Sequence, residues 1–370
     1  MASTWPTRQG RRNFLLALIG ASLLAGCAAR PGGRPNSDVP LVTNKVAVLV
    51  PLSGSDAMVG RALGDAARMA LIDSGSAPFS LTLIDTAAGG SAAAARQALS
   101  QRHGLILGPL RSEEVALAAP MTQAARVPMI AFTNDSLAAG PGTFVLGFTP
   151  SQAVERVVGH AAASGVRRFA GLIPATAYGQ RSAQALQLAV QRAGGQLVGI
   201  ETYASPGEAR AAARRLAGRP HDAVLIADSG RVATLIAPAL RSGVRILGTE
   251  LWAGANHGGT PRLRGTWYAA PAQGQWEQFV QRYRARFGGP PPPRIAALGY
   301  DAVLLAVRAA REWKPGRRFP LGAIEDRAGF SGVDGTFRFR PDNVAQRAFE
   351  VRQVTASGSA LVSAAPTRFP

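Results

Sequence analysis

This chain has 370 residues, of which 47% are hydrophobic and 17% are charged, and its formal net charge is +19 at pH 7. Its hydrophobic content excludes wholesale disorder, and its length favours two domains because one core seldom serves more than about 300 residues. The arginines are dispersed without a long basic block, and Lys45 and Lys314 are the only lysines, so the charge reflects composition and predicts no nucleic-acid partner.

The first element in chain order is an apolar run, residues 14–25, that ends close to the only cysteine, Cys27. The run is too short for a membrane span, which takes roughly 20 residues. Arg8, Arg11 and Arg12 precede it without an acidic residue, as in the n-region of an export signal. The sequence therefore predicts that residues 1–26 are a signal peptide that directs export of the protein by either the Sec or the twin-arginine route.

The segment LAGC at residues 24–27 resembles the lipobox of bacterial lipoproteins. This resemblance implies that Cys27 is lipidated and becomes the mature N-terminus, whereas the alternative is a buried free cysteine. Acyl chains on Cys27 would anchor the protein to a membrane without a transmembrane helix. Ala28 follows the cysteine. In lipoproteins of bacteria with two membranes, a residue other than Asp at this position implies that the protein is sorted to the outer membrane. Residues 27–44, rich in Pro, Gly and polar residues, predict a flexible tether.

From Lys45 the sequence alternates short apolar runs with alanine-rich amphipathic segments. This alternation predicts βαβ units and a parallel sheet, because parallel neighbours need a crossover connection. The first run is continuously apolar, as expected for a strand buried on both faces. In the first domain, the predicted strands are 46–50, 81–84, 105–107, 129–132 and 143–148, and the predicted helices are 60–74, 91–101 and 112–125.

The same alternation begins again after residue 148 and predicts a second domain of the same class. Farther along, residues 276–287 and 295–313 predict amphipathic helices, so we expect the chain to cross back to the first domain. Residues 330–362 predict a strand-rich tail. In the second domain, the predicted helices are 151–164, 179–193, 207–217 and 231–242, and the predicted strands are 169–173, 197–203, 223–227 and 246–247.

Sequence motifs of catalysis are missing from this chain. There is no Gly-x-Ser-x-Gly elbow, no His-Glu-x-x-His motif and no Walker loop. The four histidines are scattered singly, which is typical of solvated or hydrogen-bonded side chains. The sequence therefore predicts that the protein is not an enzyme, with no catalytic residue, no cofactor and no metal site.

Polar residues directly follow several of the predicted strands. Ligands of open α/β sheets bind outside the carboxyl ends of the strands, where loops and helix N-termini supply N–H donors. Each such residue can also serve as a helix cap or turn former, but their recurrence at one edge in both domains favours a ligand site. The candidate ligand-binding residues are Ser53, Ser112, Thr133 and Asn134 in the first domain, and Tyr178, Asp228, Ser229 and Glu250 in the second.

Six segments appear in a characteristic order along the chain. They are KVAVLVPLSG at 45–54, GPLRS at 108–112, VPMIAFTNDS at 127–136, AYGQ at 177–180, ALGYDAVLLAVRAA at 297–310 and FSGVDGTFRF at 330–339. Together they resemble the type I periplasmic solute-binding proteins of the leucine/isoleucine/valine-binding family, which includes the penicillin-binding protein activator lipoproteins. The resemblance implies an α/β fold of two doubly wound parallel-sheet lobes joined by a three-strand hinge.

The resemblance also implies how the chain is divided between the lobes. The N-terminal lobe comprises residues 45–145 and 270–330, and the C-terminal lobe with the hinge-crossing tail comprises 146–269 and 331–370. The three crossings are expected near residues 144–149, 268–271 and 329–336.

The candidate residues acquire roles through this resemblance. Ser112 and Thr133 match positions that hold an amino acid's carboxylate, and Tyr178 matches an aromatic side chain that packs over the ligand. Asp228 or Glu250 matches the carboxylate that takes the ligand's ammonium. A desolvated zwitterion needs such fixed donors at one end and an anion at the other.

Two functions follow from the resemblance. The first is a lipid-anchored periplasmic receptor that binds an amino acid or similar small polar metabolite and delivers it to an ABC permease. The alternative is a lipoprotein that regulates peptidoglycan synthesis by contact with a penicillin-binding protein. Sugar-responsive transcription regulators share the lobe architecture, but the export signal occupies the place of their DNA-binding helices.

Overall fold

The computed structural model describes residues 43–75, 79–254, 256–366 and 369. The predicted signal peptide, Cys27 and most of the predicted tether lie outside these residues. Across the described part of the chain, no helix is both long and apolar enough to cross a bilayer.

A five-stranded parallel sheet forms the centre of the first lobe. Residues 46–50 of its first strand are fully buried, which explains their continuously apolar sequence. The strands are β1 (Asn44–Val50), β2 (Phe79–Asp85), β3 (Leu105–Leu107), β4 (Met129–Ala131) and β5 (Thr143–Val145), and the helices between the first four are α1 (Ala57–Asp73), α2 (Gly90–Ser100) and α3 (Ser112–Ala125). Their spatial order is β2-β1-β3-β4-β5.

The second lobe repeats this topology. Its elements in chain order are α4 (Pro150–Ala163), β6 (Arg168–Pro174), α5 (Ala177–Arg192), β7 (Gln196–Tyr203), α6 (Pro206–Ala217), β8 (Ala223–Ile226), α7 (Gly230–Ile236), β9 (Arg245–Gly248) and β10 (Trp267–Ala270). The parallel strands lie in the order β7-β6-β8-β9-β10. Each lobe is therefore a doubly wound unit with the same strand order.

After β10 the chain returns to the first lobe. Helices α8 (Gly274–Phe287) and α9 (Ala296–Ala310) contribute to the same core cluster as β1 and α1. The small antiparallel sheet that follows has strands β11 (Phe330–Gly332), β12 (Gly335–Phe339) and β13 (Ala345–Arg347). The last strands, β14 (Glu350–Thr355) and β15 (Gly358–Ser363), extend the second sheet in antiparallel fashion beside β10.

Three segments connect the lobes, at residues 146–149, 271–273 and 348–349. The first two overlap the predicted crossings. The third lies later than the predicted 329–336, because Phe337, Phe339 and Ala345 pack in the first core, whereas Val354 packs in the second. Residues 331–345, expected in the C-terminal lobe, therefore pack with the N-terminal one.

Candidate ligand-binding site

A cavity of 320 Å³ lies between the two lobes. Its walls come from the segments that follow β3, β4, β5, β9 and β10, together with the start of α9. This is the edge where the carboxyl ends of parallel strands leave room for a ligand, and the volume lies near the lower end of the range for small-molecule pockets, about 300–1,000 Å³. The lining residues are Leu110, Phe132, Asn134, Phe148, Glu250, Leu251, Ala253, Pro271, Arg294, Ile295 and Leu298.

Gly147 allows the first crossing segment to pass close to the end of β4. A Cβ atom at this position would lie 2.0 Å from the carbonyl oxygen of Thr133, a distance that no side chain can occupy. The absence of a side chain therefore permits the close approach that brings Phe132 and Phe148 to one cavity. The predicted strand 143–148 is shorter in the structure, where β5 ends at Val145.

Glu250 is the one carboxylate among the residues that line the cavity. It begins a short 3₁₀ segment, Glu250–Trp252, directly after β9. Its Oε1 accepts a hydrogen bond from Tyr178 Oη at 2.9 Å, and the same hydroxyl lies 3.0 Å from Thr249 Oγ1. Its Oε2 is enclosed and has no hydrogen-bond partner in the described part of the chain. Burial raises the pKa of Glu250 to about 7, and burial beside Glu250 raises the pKa of Tyr178 well above its usual value.

Arg294 lines the cavity from the side of α9, but its charge is already compensated. Its Nε and Nη2 donate to Asp334 Oδ1 at 2.7 and 2.6 Å. Nη2 also donates to the carbonyl oxygen of Ala272 at 2.7 Å, and Nη1 donates to Gln273 Oε1 at 3.3 Å. The fully buried Asp334 therefore neutralises Arg294, and Arg294 fixes the second crossing segment.

A second buried pair, Arg347 and Asp301, lies beside the first. Neither side chain is exposed, and Nη1 of Arg347 is 3.6 Å from Asp301 Oδ2. The Nε and Nη2 of Arg347 donate to the carbonyl oxygen of Leu146 at 3.3 and 3.0 Å. The guanidinium carbon is 4.8 Å from the ring centre of Phe148 and 4.8 Å from that of Phe337. Burial raises the pKa of Asp301 to about 7.

We refer to Arg294, Asp301, Asp334 and Arg347 as the hinge network. The network contacts the first crossing segment through Leu146 and Phe148 and the second through Ala272 and Gln273. Arg347 itself ends β13, immediately before the third crossing. Because Arg294 and Phe148 also line the cavity, the network places the hinge in direct contact with the site.

The structure places two of the eight candidate residues, Asn134 and Glu250, in the wall of the cavity. A third, Tyr178, is not part of the lining but donates a hydrogen bond to Glu250. The neighbouring Asp135 forms an ion pair with Arg181 of α5 at 3.2 Å, which links the end of β4 in the first lobe to the second lobe.

The polar atoms of the other five candidates are engaged elsewhere. Ser53 Oγ donates to Asp85 Oδ2 at 2.7 Å, and Ser112 Oγ lies 3.4 Å from Glu113 Oε2. Thr133 Oγ1 accepts from the backbone N–H of Asp135 at 3.1 Å. None of these three side chains is among those that line the described cavity.

Asp228 and Ser229 form hydrogen bonds within the second lobe. Asp228 Oδ2 accepts from Tyr203 Oη at 2.8 Å, and Ser229 caps α7 by accepting from the backbone N–H of Val232. Both residues follow a strand, as the sequence indicates, but neither lines the described cavity.

Sequence reasoning did not identify the apolar lining residues or Arg294. Leu110, Phe132, Phe148 and Leu251 follow strand ends in the same way as the polar candidates. Their apolar side chains give no signal that separates a ligand pocket from a core. Arg294 follows a run of prolines, and its role depends on Asp334, which is 40 residues away in sequence.

Comparisons with known proteins agree with this architecture. The profile of a family described as periplasmic binding protein matches residues 43–359. An uncharacterized protein of Rickettsia prowazekii is 27% identical over 166 residues, which is 45% of this chain and 44% of the relative. The aligned region thus spans less than half the length of this curated relative.

Two solved structures share the fold. A candidate branched-chain amino acid ABC transporter from Rhodospirillum rubrum superposes with a TM-score of 0.78 at 22% identity, covering 86% of this chain and 100% of that one. The C-domain of LpoA from Haemophilus influenzae, a regulator of PBP1A, superposes with a TM-score of 0.68 at 18% identity, with the same coverage.

Proposed function

Because the chain belongs to the periplasmic binding protein family, we propose that it is a receptor that captures a small solute between its lobes and delivers it to an ABC importer. One observation carries this proposal: the residues lining the 320 Å³ cavity come from both lobes and from the hinge. A ligand that contacts both lobes favours their closed arrangement by its difference in affinity for the two states. The fold shared with the Rhodospirillum rubrum protein supports this function.

Isothermal titration calorimetry against a panel of amino acids, amines, carboxylates and neutral metabolites tests the proposal. We expect one member of the panel to bind with a stoichiometry of one per chain. The Leu251→Arg variant should lose this binding, because Leu251 lines the cavity and is 43% exposed. Leu117→Arg is the matched control, since Leu117 is 60% exposed on α3 and outside the cavity. Silence of the whole panel, or equal effects of the two variants, would contradict solute binding at this site.

We further propose that the receptor is lipid-anchored through Cys27 and resides at the outer membrane, as the signal sequence and Ala28 indicate. Metabolic labelling with a tagged fatty acid should label the wild-type protein and leave Cys27→Ser unlabelled. Membrane fractionation should place the wild type in the outer membrane and Ala28→Asp in the inner membrane. Recovery of unprocessed, unlabelled wild-type protein would contradict the anchor.

A second candidate function is regulation of a penicillin-binding protein, as LpoA is described to do for PBP1A. The observation in its favour is that five of the eight predicted ligand-binding residues direct their polar groups to their own lobe, as described above. A pull-down with purified penicillin-binding proteins separates the candidates. If the wild type and Leu251→Arg both capture a penicillin-binding protein specifically, and no compound of the panel binds, the results would favour the regulatory function.

A further inference from the structure

The walls of the interlobe cavity are mostly apolar. Eight of the eleven lining residues have apolar side chains, and the exceptions are Asn134, Glu250 and Arg294. A ligand that fills this cavity exchanges water for apolar contacts over most of its surface, which contributes about 25 cal/mol per Å² of buried apolar area. The cavity therefore suits a ligand with a branched aliphatic or aromatic body and few polar groups.

The charges around the cavity leave one acceptor without a counterion. Arg294 is paired with Asp334, and Arg347 lies beside Asp301, so above the pKa of Asp301, which is about 7, the hinge network carries equal numbers of positive and negative side chains. Within the described part of the chain Glu250 forms no ion pair, and its Oε2 has no donor. An ionised Glu250 would thus give the site a net charge of −1, which favours a cationic ligand over an anionic one.

The cavity offers few side-chain donors to a ligand carboxylate. The hydroxyl of Ser112 is directed to Glu113, and neither Ser112 nor Thr133 lines the described cavity. The hydroxyl of Tyr178 is bound to Glu250. In the cavity wall, a ligand carboxylate would find only the amide of Asn134 and the guanidinium of Arg294, which Asp334 already neutralises. These groups would not fully compensate the carboxylate for its lost hydration.

We infer, on the basis of the proposed solute-binding function, that the cavity selects small organic amines with an apolar body and no carboxylate, and that Glu250 determines this specificity. A ligand ammonium supplies the positive charge that the described part of the protein does not bring to Glu250, and a donor for Oε2, which has none there. Charge-assisted hydrogen bonds of this kind are roughly twice as strong as neutral ones.

The protonation of Glu250 makes the selection depend on pH. Its pKa is raised to about 7 by burial, so most of the carboxylate is protonated at pH 6 and most is ionised at pH 8. An alkylammonium group stays charged over this interval and binds the ionised form. Amine affinity should therefore rise about tenfold from pH 6 to pH 8, following the ionised fraction.

Calorimetric titration of the full mature chain with matched probes tests the inference. The amines are benzylamine and isopentylamine, the carboxylates with related skeletons are benzoate and 4-methylpentanoate, and the zwitterions are leucine and phenylalanine. At pH 8 we expect the amines to bind at least tenfold more tightly than the carboxylates and zwitterions. Glu250→Gln should weaken amine binding at least tenfold and reduce its pH dependence to the smaller part contributed by Asp301 of the hinge network, whose pKa is also about 7. Glu155→Gln, which changes an exposed glutamate of α4, should leave both unchanged.

The outcomes separate the inference from the proposed function. Tighter binding of leucine, phenylalanine or benzoate than of the amines would overturn the ligand class while leaving solute binding intact. Amine binding that Glu250→Gln does not change would overturn the role of Glu250. Failure of every probe and of the wider metabolite panel would remove the solute-binding function and this inference with it.

Discussion

The chemistry of Glu250 depends on its immediate neighbours. Burial raises its pKa, while the hydroxyl of Tyr178 opposes this shift by donating a hydrogen bond to the ionised carboxylate. The folded chain holds the proton of Glu250 more tightly than the unfolded chain does. Its contribution to the free energy of unfolding is therefore present below about pH 4.5 and is lost as the pH rises through about 7.

Replacing Tyr178 by Phe tests this balance at the level of one hydrogen bond. Tyr178→Phe removes the donor 2.9 Å from Oε1, so we expect the pKa of Glu250 to rise above about 7. The carboxyl carbon resonance of Glu250, followed by NMR over a pH titration, reports the change. Tyr203→Phe is the control, because Tyr203 bonds to Asp228. An unchanged or lower pKa in Tyr178→Phe would contradict the assignment.

At the scale of elements, the first lobe depends on the packing of α9 against α1. Twelve of the fifteen residues of α9 are buried, and the helix is therefore apolar on nearly all sides. Gly299 faces the backbone of α1, where a Cβ would lie 2.2 Å from the carbonyl oxygen of Leu63. The two helices pack closely because this position has no side chain.

Gly299→Ala should therefore force α9 away from α1. We expect a loss of about 1–3 kcal/mol in the free energy of unfolding, as for other overpacked cores, measured by urea denaturation. Gly159→Ala is the matched control in α4, since no atom lies within 4 Å of the added Cβ. There the better helix propensity of Ala should raise stability by up to about 1 kcal/mol. Similar losses in the two variants would argue against close helix packing as the cause.

At the scale of the whole molecule, the hinge network joins the lobes to the ligand cavity. Its side chains contact the first two crossing segments, Arg347 directly precedes the third, and three of the four side chains are completely buried. Desolvation makes such a network costly unless every charge keeps its partner. The network therefore belongs to the first lobe and fixes the crossing segments at the point where they leave it.

Arg347→Met should leave Asp301 and Asp334 with an uncompensated buried charge. We expect a loss of about 3–5 kcal/mol in the free energy of unfolding, measured by urea denaturation at pH 8. Arg168→Met, which breaks the exposed pair with Asp222, should cost less than about 1 kcal/mol. Equal losses would show that the buried network has no special role at the hinge.

Much of the fold could be predicted from local patterns in the sequence. The alternation of apolar runs with amphipathic segments identified both doubly wound lobes, and helix α3 begins and ends at the predicted residues. These patterns can be recognised in the sequence because the periodicity of each helix or strand depends on residues only a few positions apart. Polar residues at strand ends likewise pointed to the edge of the sheets where the cavity lies, and Asn134 and Glu250 line that cavity.

The sequence by itself thus determined the class of fold and the edge of the sheets at which the interlobe cavity lies. Only the tertiary structure decided that Phe148 and Arg294 line the described cavity and that Ser112 and Thr133 do not. It also decided that the chain enters the second core after Ala345. The reason is physical: these outcomes depend on pairings such as Arg347 with Leu146 and Arg294 with Asp334. Those pairings join residues far apart in the chain and leave no trace in local periodicity.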